Sequence, residues 1–300
     1  MIFFSIIIPT YNRAHLITHT LDSIKNQYFK EYEVIIVDDG SNDNTKEVVE
    51  NYIKINSLLN WCYYFKVNEE RGAARNYGTK LAKGKYINWF DSDDLAIENH
   101  LNIAKEFCLK LDSPEVFHLA YKFNTPNGEL IRNVNNFSST NNYKLIIGNN
   151  LSCNGVFVRS DIALQNLFNE DRELSASEDY ELWIRLAAKY TIHCSNTVTS
   201  IIIQHDERSV LTMKNPEKLI NRFSLFLRYI NNNEEVLKFI GKNHGYFMMK
   251  NNLLLSVDLA ANGNTSKSFK YLKIACLNSW KFIQEKTFYA ILKNIILSII

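Results

Sequence analysis

The sequence predicts an α/β fold with a mainly parallel central sheet, followed by a helical C-terminal region. Short apolar runs recur at roughly 30-residue spacing through the first third of the chain, and amphipathic stretches separate them, which is typical of βαβ units. The runs Ile6–Ile8 and Val34–Val37 are continuously apolar, as strands covered on both faces of a parallel sheet usually are. We therefore predict an α/β half of the nucleotide-binding type over residues 1–110.

The predicted elements of this first half alternate along the chain. Apolar runs predict the strands, and apolar residues at helical spacing predict the helices between them. The predicted strands are Phe3–Ile8, Val34–Val37, Tyr63–Val67 and Tyr86–Phe90, and the predicted helices are Ala14–Gln27, Thr45–Ile55 and Gly72–Lys83.

The pattern of predicted elements changes twice in the rest of the chain. Shorter elements are predicted first, and helices dominate from about Lys214 onward. The predicted elements are strands at Val116–Phe123, Gly155–Val158 and Val198–Ile203, a helix at Glu178–Tyr190, and helical stretches at Leu219–Ile230 and Val236–Ala261. We therefore predict two domains, residues 1–213 and a helical extension over residues 214–300.

Composition excludes several classes of protein. The 34 Lys and Arg against 32 Asp and Glu give a net charge of +2, so nucleic acid is not expected as a partner. The five cysteines are far apart and form no C-x-x-C pair, which disfavours a disulfide framework or a zinc site and favours the cytoplasm. The apolar N-terminus lacks the features of a signal peptide and is predicted to be a strand.

The tail Phe288–Ile300 is strongly apolar but too short to span a bilayer. One interpretation is a helix that packs on the body or on a partner subunit. The other is an interfacial helix on the cytoplasmic face of a membrane, with Lys281, Lys286 and Lys293 near anionic lipid. Both stay open on sequence grounds, and so does a homodimer.

Polar and acidic side chains follow the predicted strands where ligands bind in α/β sheets, at the carboxyl ends. The first strand is followed by Pro9-Thr10-Tyr11-Asn12-Arg13, the second by Asp38-Asp39-Gly40-Ser41 and the fourth by Asp91-Ser92-Asp93-Asp94. Asp, Ser and Asn also suit turns and helix N-caps, which would explain a single cluster of this kind. Two clusters at matching strand ends disfavour that explanation. We therefore expect a divalent cation, Mn²⁺ or Mg²⁺, held by carboxylates together with a diphosphate. The glycine fingerprints of dinucleotide-binding proteins and P-loop proteins are missing from the sequence.

Three further features are candidates for the same site. Arg75 lies in the first turns of a helix that opens with small residues, which suits an anionic phosphate, although a solvated arginine on a packed helix is the alternative. Asp179 shares a predicted helix face with Trp183, so it is a candidate base, with stabilisation of the helix start as the alternative. Glu178 is expected to close a capping box that begins at Ser175. His205 follows a strand end, where it is either structural or in contact with the metal or diphosphate.

The chain resembles the inverting glycosyltransferases of family 2, which have the GT-A fold. The resemblance extends over residues 3–210, and the matching segments are SIIIPTYNR (5–13), VIIVDDGSNDNT (34–45), RGAARNYG (71–78), GKYINWFDSDD (84–94) and SEDYELWIRLA (177–187). It implies transfer of a sugar from a nucleotide-diphosphate donor, with UDP favoured, to a glycan or lipid-linked acceptor in bacterial cell-surface polysaccharide synthesis.

The resemblance also implies a role for each candidate residue. Donor-binding residues would be Pro9, Thr10 and Tyr11 in the nucleotide pocket, Asp39 at the uracil edge, Arg75 near the diphosphate, Asp91 and Ser92 near the ribose or diphosphate, and Asp94 beside the donor sugar. Asp93 and His205 would bind the metal, and Asp179 would be the catalytic base. One base and one metal suffice for inversion, because no second carboxylate is needed as a covalent nucleophile.

Two rival hypotheses remain beside this one. A non-catalytic nucleotide-sugar-binding or scaffold subunit could have the same fold, although it would not need Asp91, Asp93 and Asp179 together. A phosphotransferase could use the acidic cluster, but an acidic nucleophile pattern is missing at the end of the first strand.

Overall fold

A computed structural model describes residues 2–135, 137, 142–206 and 215–297, without the side chains of residues 145, 146 and 293–297. The chain divides into two compact units, Met1–Asn142 with Leu151–His205, and Tyr143–Asn150 with Asp206–Ile300. We name them the sheet unit and the helical unit. The predicted domain boundary at residue 213 lies outside the described residues.

The sheet unit begins with the alternation that the sequence predicts. Its first elements are β1 (Phe4–Thr10), α1 (Ile17–Lys25), β2 (Tyr32–Asp38), α2 (Thr45–Ile55), β3 (Trp61–Phe65), α3 (Glu70–Leu81) and β4 (Tyr86–Trp89). Strands β3, β2, β1 and β4 pair in that order and are all parallel. Strand β3 lies two residues earlier than predicted; it is at the end of the sheet order, and Phe65 and Val67 are exposed.

The remaining strands of this unit make the sheet mixed. They are β5 (Leu95–Ala96), β6 (Val116–Asn124), β7 (Leu130–Val134), β8 (Val156–Arg159) and β9 (Ile192–Ile203), with helices α4 (His100–Lys110), α6 (Ser160–Gln165) and α7 (Glu178–Lys189). The short helix α5 (Asn142–Ile146) belongs to the helical unit except for its first residue. Strand β8 is antiparallel to both β4 and β6, and β9 is parallel to β6. The described part of the chain thus forms a mostly parallel nine-stranded α/β sheet of GT-A type.

Apolar residues cover β1 and β2 on both faces. Ile6 and Ile8 belong to the main core together with Leu21 of α1, whereas Ile7 points toward α3. Gly78 permits that second contact, because a Cβ at this position would lie 2.5 Å from Cγ2 of Ile7. The small residues of α3 therefore bring the helix close to the sheet, as the sequence indicates.

The helical unit contains α8 (Pro216–Asn231), α9 (Glu234–Ile240), α10 (His244–Ala261), α11 (Thr265–Asn278) and α12 (Lys286–Leu297). The helical stretch predicted over Val236–Ala261 forms two helices, because Gly241 adopts a positive φ of 48° and ends α9. Within the described residues, no helix has both the length and the hydropathy of a membrane-spanning segment.

The predicted apolar tail overlaps α12, whose inner side packs on the other helices of the unit while Tyr289 is exposed. Ile291 is 1% exposed and packs with Met249, Leu253 and Leu272, while Phe288 lies against the same cluster. This arrangement supports the interpretation of a helix packed on its own unit rather than one lying on a membrane. The tail side chains from residue 293 onward lie outside the described residues.

Candidate active site

The carboxyl ends of β1 and β2 meet at one edge of the sheet. Thr10 pairs with Asp38 in the parallel register, and the amide of Asp39 donates a hydrogen bond of 2.8 Å to the carbonyl of Thr10. The chain then turns at Gly40, whose φ of +82° is in the region that favours glycine. The structure therefore brings the first two predicted clusters together: Pro9, Thr10 and Asp39 are buried, and the Tyr11 ring is 45% exposed.

Asp39 is held in place by groups that the sequence analysis did not identify. Its Oδ1 accepts hydrogen bonds from Nζ of Lys66 at 2.9 Å and from the amide of Glu69 at 3.0 Å. Lys66 also contacts Oε2 of Glu69 at 2.8 Å. The Asp39 carboxylate is therefore fixed at the carboxyl ends of β1 and β2, and Lys66 balances its negative charge.

Asp93 and His205 are 112 residues apart in sequence and adjacent in space. Nε2 of His205 lies 3.0 Å from Oδ2 of Asp93, and both side chains are largely buried. Nη2 of Arg13, a residue not predicted to belong to the site, lies 3.6 Å from the same carboxylate oxygen. The structure thus pairs the two residues that the resemblance implies as metal ligands.

This pair fits a divalent cation as part of a ligand set. A carboxylate oxygen and an imidazole nitrogen both suit Mn²⁺, and carboxylate and phosphate oxygens suit Mg²⁺. Among the described residues, no group of three or more His, Cys, Asp and Glu could hold a metal. Asp93 and His205 would therefore hold the cation only together with oxygens from the donor diphosphate and water.

Asp94 has a different environment from the one expected beside a donor sugar. Its side chain is fully buried, Oδ2 accepts a hydrogen bond of 2.8 Å from Asn154, and Oδ1 accepts one of 2.9 Å from the amide of Ile203. Both carboxylate oxygens thus bind protein groups. This placement does not support direct sugar contact and instead makes Asp94 a link between the acidic loop and the end of β9. Ser92 is also buried, at 6% exposure.

Asn154, which was not predicted to belong to the site, holds the acidic loop at both ends. Its Oδ1 accepts from the amide of Asp91 at 2.9 Å, and its Nδ2 donates to Asp94. The turn that carries Asn154 is itself held by Nδ2 of Asn88, which contacts the carbonyls of Asn154 and Val156. Buried hydrogen bonds are stronger than exposed ones, so these contacts fix the loop firmly.

Arg75 is 2% exposed, so it is not the solvated side chain of the alternative interpretation. Its Nη2 donates to Oδ1 of Asp91 and its Nη1 donates to Oε1 of Glu178, both at 2.8 Å. The ring of Phe168 lies 5.2 Å from the guanidinium carbon. Arg75 therefore connects the acidic loop after β4 with the start of α7.

The capping-box prediction for Glu178 is wrong. Helix α7 has Ser177 as its N-cap residue, and Glu178 instead points into the interior, where it is 3% exposed. Burial alone would disfavour the negative charge of Glu178. Arg75 and Arg71 lie beside its carboxylate and stabilise that charge.

Asp179 lies in the first turn of α7 and keeps part of its side chain exposed. Burial and the negative charge of Glu178 raise its pKa to about 6, although the positive charge of Arg75 lowers it. The negative charge of Asp91 also raises it. A carboxylate with this pKa accepts a proton better than an ordinary aspartate does at neutral pH.

The pKa of Asp179 predicts the pH dependence of any reaction that uses it as a base. Because the base must be deprotonated, kcat/KM should be half-maximal near pH 6 and fall about tenfold for each pH unit below that value. A pH–rate profile over the acid range measures this. Activity that stays constant down to the ordinary pKa range of aspartate would contradict the assignment.

The fold, the paired strand ends and the matched motifs define a nucleotide-sugar-dependent glycosyltransferase. The family model "Glycosyl transferase family 2" matches residues 5–160, more than half of the chain, and the protein belongs to this family of transferases (EC 2.4).

Particular relatives and structures agree with that membership. The chain is 29% identical over 238 residues to an uncharacterized glycosyltransferase of Rickettsia bellii, covering 78% of this chain and 33% of the relative. It is 28% identical over 270 residues to one of Rickettsia typhi, covering 85% and 83%. A third relative, 36% identical over 100 residues (33% of this chain, 32% of the relative), is the GalNAc(5)-diNAcBac-PP-undecaprenol beta-1,3-glucosyltransferase of Campylobacter jejuni.

Two solved structures share the fold across nearly the whole chain. TarS of S. aureus, residues 1–349, in complex with UDP-GlcNAc, matches with a TM-score of 0.65 at 20% identity, covering 94% of this chain and 92% of that one. The mannosyltransferase PcManGT of Pyrobaculum calidifontis, in complex with GDP-Man and Mn²⁺, matches with a TM-score of 0.60 at 16% identity, covering 98% and 86%.

Proposed function

We propose that the protein is a metal-dependent inverting glycosyltransferase that moves a sugar from a UDP-sugar to a glycan or lipid-linked acceptor. The observation that carries the proposal is the arrangement around Arg75, which joins Asp91 of the acidic loop to the helix of Asp179. That loop also holds Asp93 against His205. A base with a raised pKa and a charge-neutralising site therefore face one sheet edge.

The residues divide the reaction between them. Asp179 takes the proton of the acceptor hydroxyl, whose oxygen attacks the anomeric carbon while the bond to the diphosphate oxygen breaks. A divalent cation bound by Asp93 and His205 would neutralise the charge that develops on the leaving diphosphate. Asp91 is oriented by Arg75 and Asn154. A single displacement on one face of the sugar inverts the anomeric configuration.

Donor recognition is assigned to the ends of β1 and β2. The fixed carboxylate of Asp39 suits the N–H edge of a uracil, and the exposed ring of Tyr11 offers an aromatic surface beside it. The donor-binding set that we propose is Pro9, Thr10, Tyr11, Asp39, Arg75, Asp91 and Ser92, with Arg75 acting through Asp91. The UDP-GlcNAc and GDP-Man present in the two similar structures are consistent with a nucleotide-diphosphate sugar.

The proposal also includes an acceptor and a cellular setting. The name of the Campylobacter jejuni relative describes transfer to a lipid-linked oligosaccharide, which supports an acceptor of that class. We place the reaction in the cytoplasm, in cell-surface polysaccharide synthesis, with residues 1–213 as catalytic domain and residues 214–300 as a helical extension. A homodimer is part of the same proposal.

Thermal stabilisation by nucleotides tests the donor assignment. UDP, GDP, dTDP and NAD are each added with and without Mn²⁺, and the melting temperature is recorded. A ligand at about 100 times its Kd adds roughly 2.7 kcal/mol of stability, which gives a clear shift. We expect a Mn²⁺-dependent shift with UDP. If none of the nucleotides raised the melting temperature, the scaffold hypothesis would be favoured instead.

A further inference from the structure

The net charge of the whole chain is close to zero, but its two units have net charges of opposite sign. The sheet unit contains 19 Lys and Arg against 25 Asp and Glu, a net charge of −6. The helical unit contains 15 Lys and Arg against seven Asp and Glu, a net charge of +8. A charge asymmetry of this size between parts of one chain points to an anionic partner for the basic part.

The basic charge of the helical unit is concentrated near α11 and the turn after it. Residues 265–292 contain five lysines and a single acidic residue, Glu285. Glu285 is already neutralised, since it accepts hydrogen bonds of 2.8 Å from Lys250 and 2.9 Å from Tyr246. Four of the lysines are exposed, namely Lys270, Lys273, Lys281 and Lys286.

Large apolar side chains are exposed between these lysines. On α11, Phe269, Lys273 and Leu277 are spaced four residues apart and so lie on one side of the helix. Phe269 is 55% exposed and Leu277 is 78% exposed. The opposite side of α11 is occupied, because Leu272 and Ala275 are buried in the core of the unit.

The apolar row continues beyond the end of α11. Trp280 is 64% exposed and Ile283 is 49% exposed, and their spacing of three residues puts them on one side of the 3₁₀ turn Trp280–Gln284. The hydroxyl of Tyr289 donates a hydrogen bond of 2.8 Å to the carbonyl of Ile283, which places that exposed ring beside them. We name this set the lysine–aromatic surface: Phe269, Lys270, Lys273, Leu277, Trp280, Lys281, Ile283, Lys286 and Tyr289.

This composition matches the interface of an anionic bilayer better than other partners. Tryptophan and tyrosine favour the level of the lipid headgroups, leucine and isoleucine gain by entering the acyl boundary, and lysines bind anionic headgroups. A nucleic acid site would favour arginine, and residues 265–292 contain none. A surface for an acidic protein would not need Leu277 at 78% exposure.

We propose that the lysine–aromatic surface of the helical unit docks on a membrane surface that contains anionic phospholipid. Trp280, Leu277 and Ile283 enter the headgroup–acyl boundary, and the four lysines contact lipid phosphates. The docking element is thus the outer side of α11, the 3₁₀ turn and the exposed residues Lys286 and Tyr289 at the start of α12, whereas Phe288 and Ile291 of α12 pack inward. The proposal does not depend on the transfer reaction.

Trp280 provides a direct spectroscopic readout of docking. The protein has four tryptophans, and the other three, Trp61, Trp89 and Trp183, are at most 7% exposed. When the full chain is titrated with phosphatidylcholine vesicles that contain phosphatidylglycerol, its emission should shift to the blue and acrylamide quenching should fall. Vesicles of phosphatidylcholine alone should give a much smaller change. Trp280→Phe should abolish the spectral change and retain sedimentation with anionic vesicles.

Matched variants test the two parts of the surface by vesicle sedimentation. Lys273→Glu with Lys281→Glu should weaken binding on the order of 20-fold or more, since each lysine contributes about fivefold. Leu277→Ser with Trp280→Ser should weaken it on the order of tenfold. Lys46→Glu with Lys54→Glu, and Ile55→Ser with Leu59→Ser, make the same changes at exposed positions of the sheet unit and should bind as the unchanged protein does.

Three outcomes would overturn the proposal. One is that the unchanged protein does not bind anionic vesicles, and another is that the surface variants and the control variants bind equally well. The third is a dimer in light scattering that Leu277→Ser with Trp280→Ser dissociates, together with no binding of the protein to vesicles. A second copy of the chain would then occupy the lysine–aromatic surface. Nucleotide-induced thermal stabilisation of each variant separates these results from failure of the proposed transferase site.

Discussion

Replacing Asp179 by asparagine is expected to lower kcat of sugar transfer by about 10²–10⁴-fold, the usual contribution of a positioned general base. Asparagine has nearly the same shape but cannot accept the proton of the acceptor hydroxyl. Stabilisation by UDP with Mn²⁺ should persist, because Asp179 is assigned to the acceptor side. The measurement combines steady-state kinetics with nucleotide-induced thermal shifts on the same preparation.

The stability of the same variant gives an independent check. Folding raises the pKa of Asp179 from 3.8 to about 6, so the folded state disfavours the charged carboxylate. This destabilisation of the folded protein is absent at low pH, where Asp179 is protonated in both the folded and the unfolded state. It is fully present above pH 6. Asp179→Asn removes a charge that opposes folding and should therefore unfold at the same or a higher temperature than the unchanged protein at neutral pH.

A matched control for the charge change is Asp161→Asn. Asp161 is an exposed carboxylate of the same unit that pairs with Arg159, and it lies outside the proposed site. Turnover should be unchanged in this variant. If Asp179→Asn retained comparable turnover, Asp179 would not be the base. If it lost activity together with a lower unfolding temperature, the loss would reflect structure rather than proton transfer.

The parallel part of the fold was predictable because its signals are local. Strands β1, β2 and β4 are buried over their whole length and mostly apolar, so they stand out against the amphipathic helices between them. Strand β9 was predicted only over its last part, because the polar residues Ser195–Thr197 interrupt its apolar pattern. Helix α4 was not predicted; its buried positions include His100 and Cys108, which give a weak periodic signal.

The site residues divide in the same way. Asp93 and His205 follow strand ends and Asp179 lies in the first turn of α7, which are local signals, and their roles in the site stay predictions. Glu178 was misinterpreted because a serine three residues earlier mimics a capping box, whereas its actual partner is 103 residues away. Asn154 could not be found, since its only signal is a pair of long-range hydrogen bonds.

Replacing Arg75 by methionine should lower the free energy of unfolding by about 3–5 kcal/mol, the usual effect of leaving a buried charge without its partner. Arg75 and Glu178 are only 3% and 4% exposed as side chains, so water cannot compensate for the lost ion pair. Arg159→Met is the matched control, because Arg159 pairs with Glu115 and Asp161 at exposed positions. It should cost about 0–1 kcal/mol. Urea titration measures both.

A second substitution separates the structural role of Arg75 from its role in the site. In Arg75→Met with Glu178→Leu, no unpaired Glu178 charge remains in the interior, so most of the lost stability should return. Asp91 still lacks the guanidinium that orients it, so donor KM and kcat should stay impaired. Recovery of both stability and turnover would show that Arg75 is structural only. Recovery of stability alone would show that the buried ion pair has a second consequence, which is to fix a donor-side carboxylate relative to the helix of the base.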